Sequence, residues 1–149
     1  MERNIEKYIL EHTTSEDPVL ADLYRQTHLR FINPNMACGH LQGKFLEMIS
    51  RMVNPSFILE IGTFTGYSAI CLAKGLKKDG ILITIEPNDE LAGFNRSYFT
   101  KAGVGSKIKS ITGRLQDVAA TIKEEFDLVY IDGDKREYIQ YYRLIIDKV

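Results

Sequence analysis

Cysteine is scarce: Cys38 and Cys71 are the only two in 149 residues. One falls in a loop signal and the other in a helical pattern, which reads as two free thiols in a cytoplasmic chain rather than a disulfide. No C-x-x-C or H-x-x-x-H pair occurs, so a zinc site has no support. An excess of charge is missing too. With 19 Lys and Arg against 20 Asp and Glu, the net charge is −1, without the basic field that nucleic acid requires. No apolar run approaches the roughly 20 residues of a membrane span, and the opening M-E-R-N-I-E-K lacks a signal peptide's apolar stretch. Internal repeats, low-complexity stretches and linkers are absent. What is there, 44% hydrophobic and 26% charged residues, is the composition of one globular domain with a real core.

The chain is arranged around F-I-L-E-I-G-T-F-T-G-Y-S, residues 57–68. Phe57, Ile58, Leu59 and Ile61 make a short apolar run after Pro55, the pattern of a strand buried on both faces. Gly62 and Gly66 follow, and then Ala69, Ile70, Ala73 and Leu76 fall at helical spacing. Strand, glycine turn and helix in succession form the first half of a nucleotide-binding βα unit. There, backbone N–H groups and a helix N-terminus face a carboxylate or phosphate. The glycine spacing narrows the ligand. In a dinucleotide fingerprint, G-x-G-x-x-G, the second glycine lets the backbone approach a pyrophosphate. Here that position is Phe64, which argues against NAD or FAD and leaves room for a ligand without pyrophosphate. Glu60, inside the apolar run, is costly unless it is paired or faces a ligand, and it stands where it would accept a hydrogen bond from an ammonium group. For G-x-x-x-G alone, a glycine turn with an incidental acid is the better reading. The second strand shifts that balance.

Residues 4–11 and 17–31 read as helices, the second with Asp17 as N-cap before Pro18 and with Val19, Leu20, Leu23 and Tyr24 on one side. Neither is apolar enough to make a core by itself, so they are expected to cap the domain or to form a dimer surface. After the break at Asn33-Pro34-Asn35, the spacing predicts an amphipathic helix over 41–53. Its Leu41, Phe45, Met48, Ile49 and Met52 are expected to face the core. Lys78-Asp79-Gly80 turns into I-L-I-T-I-E, a second buried strand that ends in Glu86. That acid lies roughly 20 residues beyond the glycine turn, where such folds place a carboxylate on ribose hydroxyls. A solvated strand-end acid is the plainer alternative, but Glu86 closes an apolar strand directly before Pro87, which favours the ribose. Asn88 caps a helix through Leu91, Phe94, Tyr98 and Phe99 that ends at Gly103. A third strand covers 108–112. Gly113 then turns into a helix over 115–124 with Leu115, Val118, Ala119 and Ile122 inward. A fourth strand, 126–131, delivers Asp132-Gly133-Asp134-Lys135 to the crevice side of the sheet. Oxygen ligands there suit a hard cation, and a lysine beside a metal can serve as a base. For D-G-D-K alone a polar loop is the better reading. The last helix, 135–149, carries Tyr138, Tyr142 and Ile145 on one face.

Taken together, E-I-G-T-F-T-G-Y-S, I-T-I-E, G-R-L-Q-D and F-D-L-V-Y-I-D-G-D-K-R-E-Y strongly resemble the cation-dependent O-methyltransferases. These are the caffeoyl-CoA and catechol O-methyltransferase-like enzymes and their bacterial relatives, which use S-adenosylmethionine. M-A-C-G-H-L-Q-G, residues 36–43, fits the same family, and the resemblance runs from about Met36 to the last residue. It implies an α/β class I methyltransferase fold: a Rossmann-like, doubly wound, mostly parallel sheet with helices on both faces. The whole of 1–149 would be one domain, with a helical cap over 1–35 and a core over 36–149. Residue by residue, the resemblance places Glu60 near the methionine amino group, Gly62 and Gly66 as the turn glycines, and Thr63 and Phe64 between them on the cofactor. Ser68 matches a hydroxyl on the methionine carboxylate, and Glu86, followed by Pro87, the ribose-binding acid. Gly113 to Gln116, including Leu115, fall in the adenine-contacting turn, with Gln116 as an adenine partner. Asp132 matches both a cofactor-site residue and the first ligand of a divalent cation (Mg, Mn or Ca). Lys135 matches the lysine that deprotonates the acceptor hydroxyl. The implied partners are a small, hydroxylated, catechol-like acceptor and a second copy in a cytoplasmic homodimer.

The departure comes at the end. Family members continue into a strand bearing an Asp-Asn pair, the remaining protein ligands of the metal, and then into two final strands. None of these follows Val149, so the expectation is a C-terminally truncated chain, with the cofactor half complete, the metal site incomplete and one parallel edge exposed. Methyl transfer from S-adenosylmethionine to a hydroxyl is the favoured function. One rival is a fragment that holds the cofactor or a partner without turnover. Another is a phosphohydrolase, since I-D-G-D imitates an Asp-x-Asp at a strand end, although that chemistry follows a first strand and here the motif follows the fourth.

Overall fold

The computed structural model describes residues 3–149, which open with two helices, α1 (Arg3–Glu11) and α2 (Pro18–Arg30). Asp17 caps α2 as its position before Pro18 predicts: its carboxylate accepts from the Val19 N–H at 2.8 Å. The other carboxylate oxygen accepts from Lys74 Nζ at 2.8 Å, and chiefly that bond holds the Asp17 carboxyl below its ordinary range. α2 is more than a cover. Leu20, Leu23 and Thr27 are buried, and Val19 and Tyr24 pack at the margin of the same core.

α3 (His40–Val53) forms where its periodicity predicts, but it faces the other way. Its buried residues are Gly43, Leu46 and Ser50, whereas Phe45, Met48 and Met52 are exposed. The reason is close helix packing. A Cβ on Gly43 would come within 2.6 Å of the Tyr67 ring and 2.8 Å of Cys71 Sγ, so the small residues of α3 meet the next helix and the large ones are turned out.

Next come β1 (Phe57–Ile61) and α4 (Tyr67–Ala73), every residue of which is buried. β2 (Ile81–Glu86) and α5 (Ala92–Lys101) follow, with Asn88 accepting from the Glu90 N–H at 3.1 Å at the entry. β3 (Ile108–Thr112) leads into α6, which spans only Leu115–Val118 before a 3-10 turn over Ala119–Thr121. The helix expected over 115–124 therefore stops short. Thr121 Oγ1 donates to the Val118 carbonyl at 2.7 Å, and Ile122 leaves the helical path to enter the core. β4 is Leu128–Ile131, and α7 is Tyr138–Ile145 between two 3-10 turns. α7 buries Tyr141 and Ile145, while Tyr142, which the pattern places on one face with Ile145, is exposed.

The four strands pair in the order β3-β2-β1-β4, all parallel. With strand side chains alternating between faces, Ile58 and Leu82 point to a core shared with α2, α3, α4 and α5. Leu59, Ile61, Ile83 and Ile85 point to a second core with Leu115, Ile122, Phe126, Tyr141 and Ile145. This is the doubly wound, parallel sheet that the family resemblance implies. No described helix is long and apolar enough to cross a membrane.

Candidate functional site

At the centre of a doubly wound sheet, the carboxyl ends of the strands leave a crevice. Here β1, β2 and β4 end on one cavity of about 560 Å3, within the range of small-molecule sites. Gly62 starts it. At φ +98° it turns the chain off β1, and its N–H donates to the Ile85 carbonyl at 3.0 Å. A tight turn follows, closed by the Gly66 N–H on the Thr63 carbonyl at 2.9 Å. Inside it Phe64 has φ +46°, uncommon for a residue with a Cβ.

Two carboxylates organise this turn from different sides. Glu86, at the end of β2, is half-buried and faces the cavity. Its Oε2 accepts from the Phe64 N–H at 2.7 Å and its Oε1 from the Asn88 N–H at 3.0 Å. Each oxygen keeps a lone pair for a donor in the cavity. Glu60, in the middle of β1, is 0% exposed and lies beneath the floor rather than on it. Ser68 Oγ donates to its Oε1 and Thr84 Oγ1 to its Oε2, both at 2.6 Å, and Thr63 shares a further hydroxyl–hydroxyl bond with Thr84. Burial lifts the Glu60 carboxyl to about 7, against the opposing pull of the two hydroxyls.

Of the residues expected at the site, Gly62, Thr63, Phe64 and Ser68 line the cavity from the turn, and Glu86 and Pro87 from the end of β2. Gly113 and Leu115 line it from beyond β3, and Asp132 from the end of β4. Glu60, Gly66, Gln116 and Lys135 do not. Gly66 (φ +86°) instead lets Phe99 approach, since a Cβ there would lie 2.6 Å from the ring. Gln116 Nε2 donates to Gln140 Oε1 at 3.3 Å, and its own buried Oε1 has no partner among the described residues. Lys135 is exposed.

Several further lining residues lie within the family motifs without a site role that the sequence assigns them individually. Met36, Ala37 and Cys38, just before α3, close one wall. Their segment belongs to the M-A-C-G-H-L-Q-G motif, but nothing local in it marks a cavity wall. Arg114 and Glu137 form a 2.6 Å ion pair at the cavity, and Tyr141 donates to the other Glu137 oxygen at 2.7 Å. Burial raises the Cys38 thiol far above the usual range, so it stays a neutral apolar wall.

The acidic loop after β4 bears on two chemistries, a phosphate site and a cation site. Asp134 is gripped by Arg136, whose Nε and Nη2 reach both carboxylate oxygens at 2.6–3.1 Å and pull its carboxyl down to about 2. D-G-D therefore does not offer two free carboxylates to a phosphate. Asp132 is exposed, and its Oδ2 accepts from the Tyr130 hydroxyl at 3.2 Å. Among the described residues, no three His, Cys, Asp or Glu side chains stand together as a metal would require. These residues do not by themselves fit a divalent cation. They fit a nucleoside better: a half-buried acid at the end of β2, glycine-opened backbone across from it, and apolar side chains such as Ile61, Ile85 and Leu115 between.

Comparison with known proteins agrees with this shape. The O-methyltransferase family model matches residues 10–149. A catechol O-methyltransferase of Niastella koreensis is 35% identical over 114 residues, which cover 74% of this chain and 52% of that one. A caffeoyl-CoA O-methyltransferase of Petroselinum crispum is 35% identical over 114 residues, 72% of this chain and 47% of that one. The chain thus spans about half the length of these curated relatives. An O-methyltransferase of Streptomyces achromogenes involved in tomaymycin synthesis, solved in complex with SAM, superposes with a TM-score of 0.91 at 33% identity. The match covers 99% of this chain and 70% of that one. From Leu10 to Val149, through the glycine turn, the β2 acid and the loop after β4, the chain belongs to the O-methyltransferase family.

Proposed function

We propose that the chain binds S-adenosylmethionine in the cavity and serves transfer of its methyl group to a hydroxyl of a small, catechol-like acceptor. One observation carries the reading: Glu86 sits at the end of β2 with both oxygens anchored by backbone N–H groups and a lone pair left on each. That is a rigid, doubly accepting group, suited to two ribose hydroxyls. The Ser68 hydroxyl and the turn backbone would hold the methionine end, with Glu60 acting from below through Ser68. Gly113 and Leu115 would face the adenine, with Gln116 behind them. The bound cofactor supplies an electrophilic methyl on a sulfonium. The protein's share is to orient it, exclude water and take a proton from the acceptor, a role this reading gives to Lys135. The catechol and caffeoyl-CoA names of the relatives support the acceptor class. Asp132 is the one carboxylate on offer to Mg, Mn or Ca, and the reading does not depend on that ion. A homodimer in the cytoplasm completes the proposal: exposed Phe45, Met48 and Met52 on α3 give a second copy apolar surface to cover, and sedimentation velocity tests it.

Calorimetry with S-adenosylhomocysteine tests the cofactor site. Glu86→Ala is expected to weaken binding by about 1–3 kcal/mol through lost charged hydrogen bonds. Unchanged affinity removes the ribose assignment, and tight binding of NADH removes the whole reading. A second reading, binding without turnover, is favoured by the exposed Lys135 outside the cavity and the lone Asp132. Catechol methylation by the purified chain separates the two.

A further inference from the structure

Phe64 is the strained residue of the cofactor turn. Its φ of +46° is left-handed, a conformation that a residue with a Cβ keeps only where its surroundings hold it. Two groups hold the peptide units on either side. Glu86 Oε2 accepts the Phe64 N–H at 2.7 Å, and Asn95 Nδ2 donates to the Phe64 carbonyl at 2.8 Å. The ring meets Phe31 edge-on, with centroids 6.3 Å apart, and Phe31 meets Phe94, the neighbour of Asn95, at 4.9 Å.

Asn95 is a costly residue to keep. It lies on α5 at 4% exposure, and its Oδ1 is buried with no hydrogen-bond partner among the described residues. Only the amide nitrogen can face a carbonyl, so the oxygen must take the side without donors. A buried acceptor left unpaired destabilises the fold that contains it. Alanine would pack on the same helix face without that penalty and with better helix propensity. The single bond that Asn95 does make is therefore the reason to look for a role.

We propose that Asn95 is a positioning residue of the cofactor turn. By holding the Phe64 carbonyl it keeps Phe64 left-handed, so that the Phe64 N–H stays on Glu86 and that carboxylate stays aimed into the cavity. Asn95 does not line the cavity and acts through Phe64 and Glu86. The effect on the cofactor rests on the function proposed above, whereas the lock on Phe64 is independent of any ligand.

Residue-resolved hydrogen exchange on the full chain reads the lock directly. Asn95→Ala is expected to lower protection of the Phe64 amide by about tenfold, with the β1 amides unchanged. Titration with S-adenosylhomocysteine is expected to show affinity about tenfold weaker, while the urea midpoint stays equal or rises. A merely structural asparagine gives the reverse, a lower midpoint at unchanged affinity, and that result overturns the proposal. Asn95→Asp adds a pH signature. Its carboxylate cannot donate to the Phe64 carbonyl but its protonated form can, so its affinity relative to wild type should recover as pH falls through the new group's titration. Absence of that recovery also overturns the proposal. Should the wild type fail to bind S-adenosylhomocysteine, the function proposed above falls by itself. The Phe64 exchange then decides the lock: loss in Asn95→Ala supports it and unchanged protection refutes it.

Discussion

Gly62→Ala is expected to lower stability by about 3–5 kcal/mol and to abolish S-adenosylhomocysteine binding. The added Cβ would lie 2.5 Å from the Asp132 carbonyl oxygen, 2.7 Å from its carbon and 2.9 Å from the Gly133 nitrogen. All three are backbone atoms, so no rotamer change relieves the clash. The same position is at φ +98°, which strains any residue with a Cβ. Relief requires β4 to move away from β1, and the Asp132 N–H would then lose its 2.8 Å bond to the Ile61 carbonyl. Gly103→Ala is the natural control. It too has positive φ, +71°, but nothing lies within 4 Å of its added Cβ, so only the conformational cost of about 1–2 kcal/mol applies. Urea unfolding of the two variants side by side measures the steric part. Equal losses would mean that the β1–β4 junction yields easily, and the argument from close approach would fail.

Glu60→Gln is expected to change how stability depends on pH. The folded-state carboxyl is raised by burial from 4.5 to about 7, so between those values the folded chain binds a proton that the unfolded chain does not. The stabilisation is fully present below the unfolded value and is lost as pH rises through about 7. The size, from a shift of that extent, is on the order of 3 kcal/mol. Glutamine keeps the shape, and the Ser68 and Thr84 hydroxyls can turn to satisfy its amide. The variant should therefore gain on the wild type by about 3 kcal/mol between pH 5 and pH 8, measured by urea unfolding at each pH. A wild type that gains on the variant over this interval would show that Glu60 is better stabilised as an anion, and the assigned effect of burial would be wrong.

Strand positions and strand-end acids could be read from the chain because they are local. An apolar run of five or six residues closed by Glu86 and Pro87 leaves few other arrangements. The caps at Asp17 and Asn88 were legible for the same reason. What could not be read was decided by contacts between distant elements. Hydropathy alone turned α3 the wrong way round, since Gly43 and Ser50 look like weak points in an amphipathic pattern and are in fact the surface that meets α4. Glu60 stood out as an acid in an apolar strand, but its distance from the cavity depends on Thr84 and Ser68, which belong to two other elements. Arg136 is a third case. It takes up Asp134 completely, and its neighbour Lys135, the more conspicuous residue, is left exposed and outside the cavity. Across the short 3-10 turn over Lys135–Glu137, Arg136 and Glu137 border the cavity and Lys135 does not.

The sheet order also has a kinetic consequence. Ile58 on the central strand pairs with Leu82 on one side and Leu128 on the other, and the second partner is about three times further along the chain. By the logarithmic dependence of loop closure on length, that pairing costs about 1 kcal/mol more entropy. The β1–β2 unit should therefore assemble early and the β1–β4 pairing late. Glu86 and the glycine turn would be in place at the first stage, but the wall formed by Asp132 against Gly62 would not. During refolding, the capacity to bind a ligand should appear after most secondary structure has formed, which makes binding a reporter of the last long-range contact.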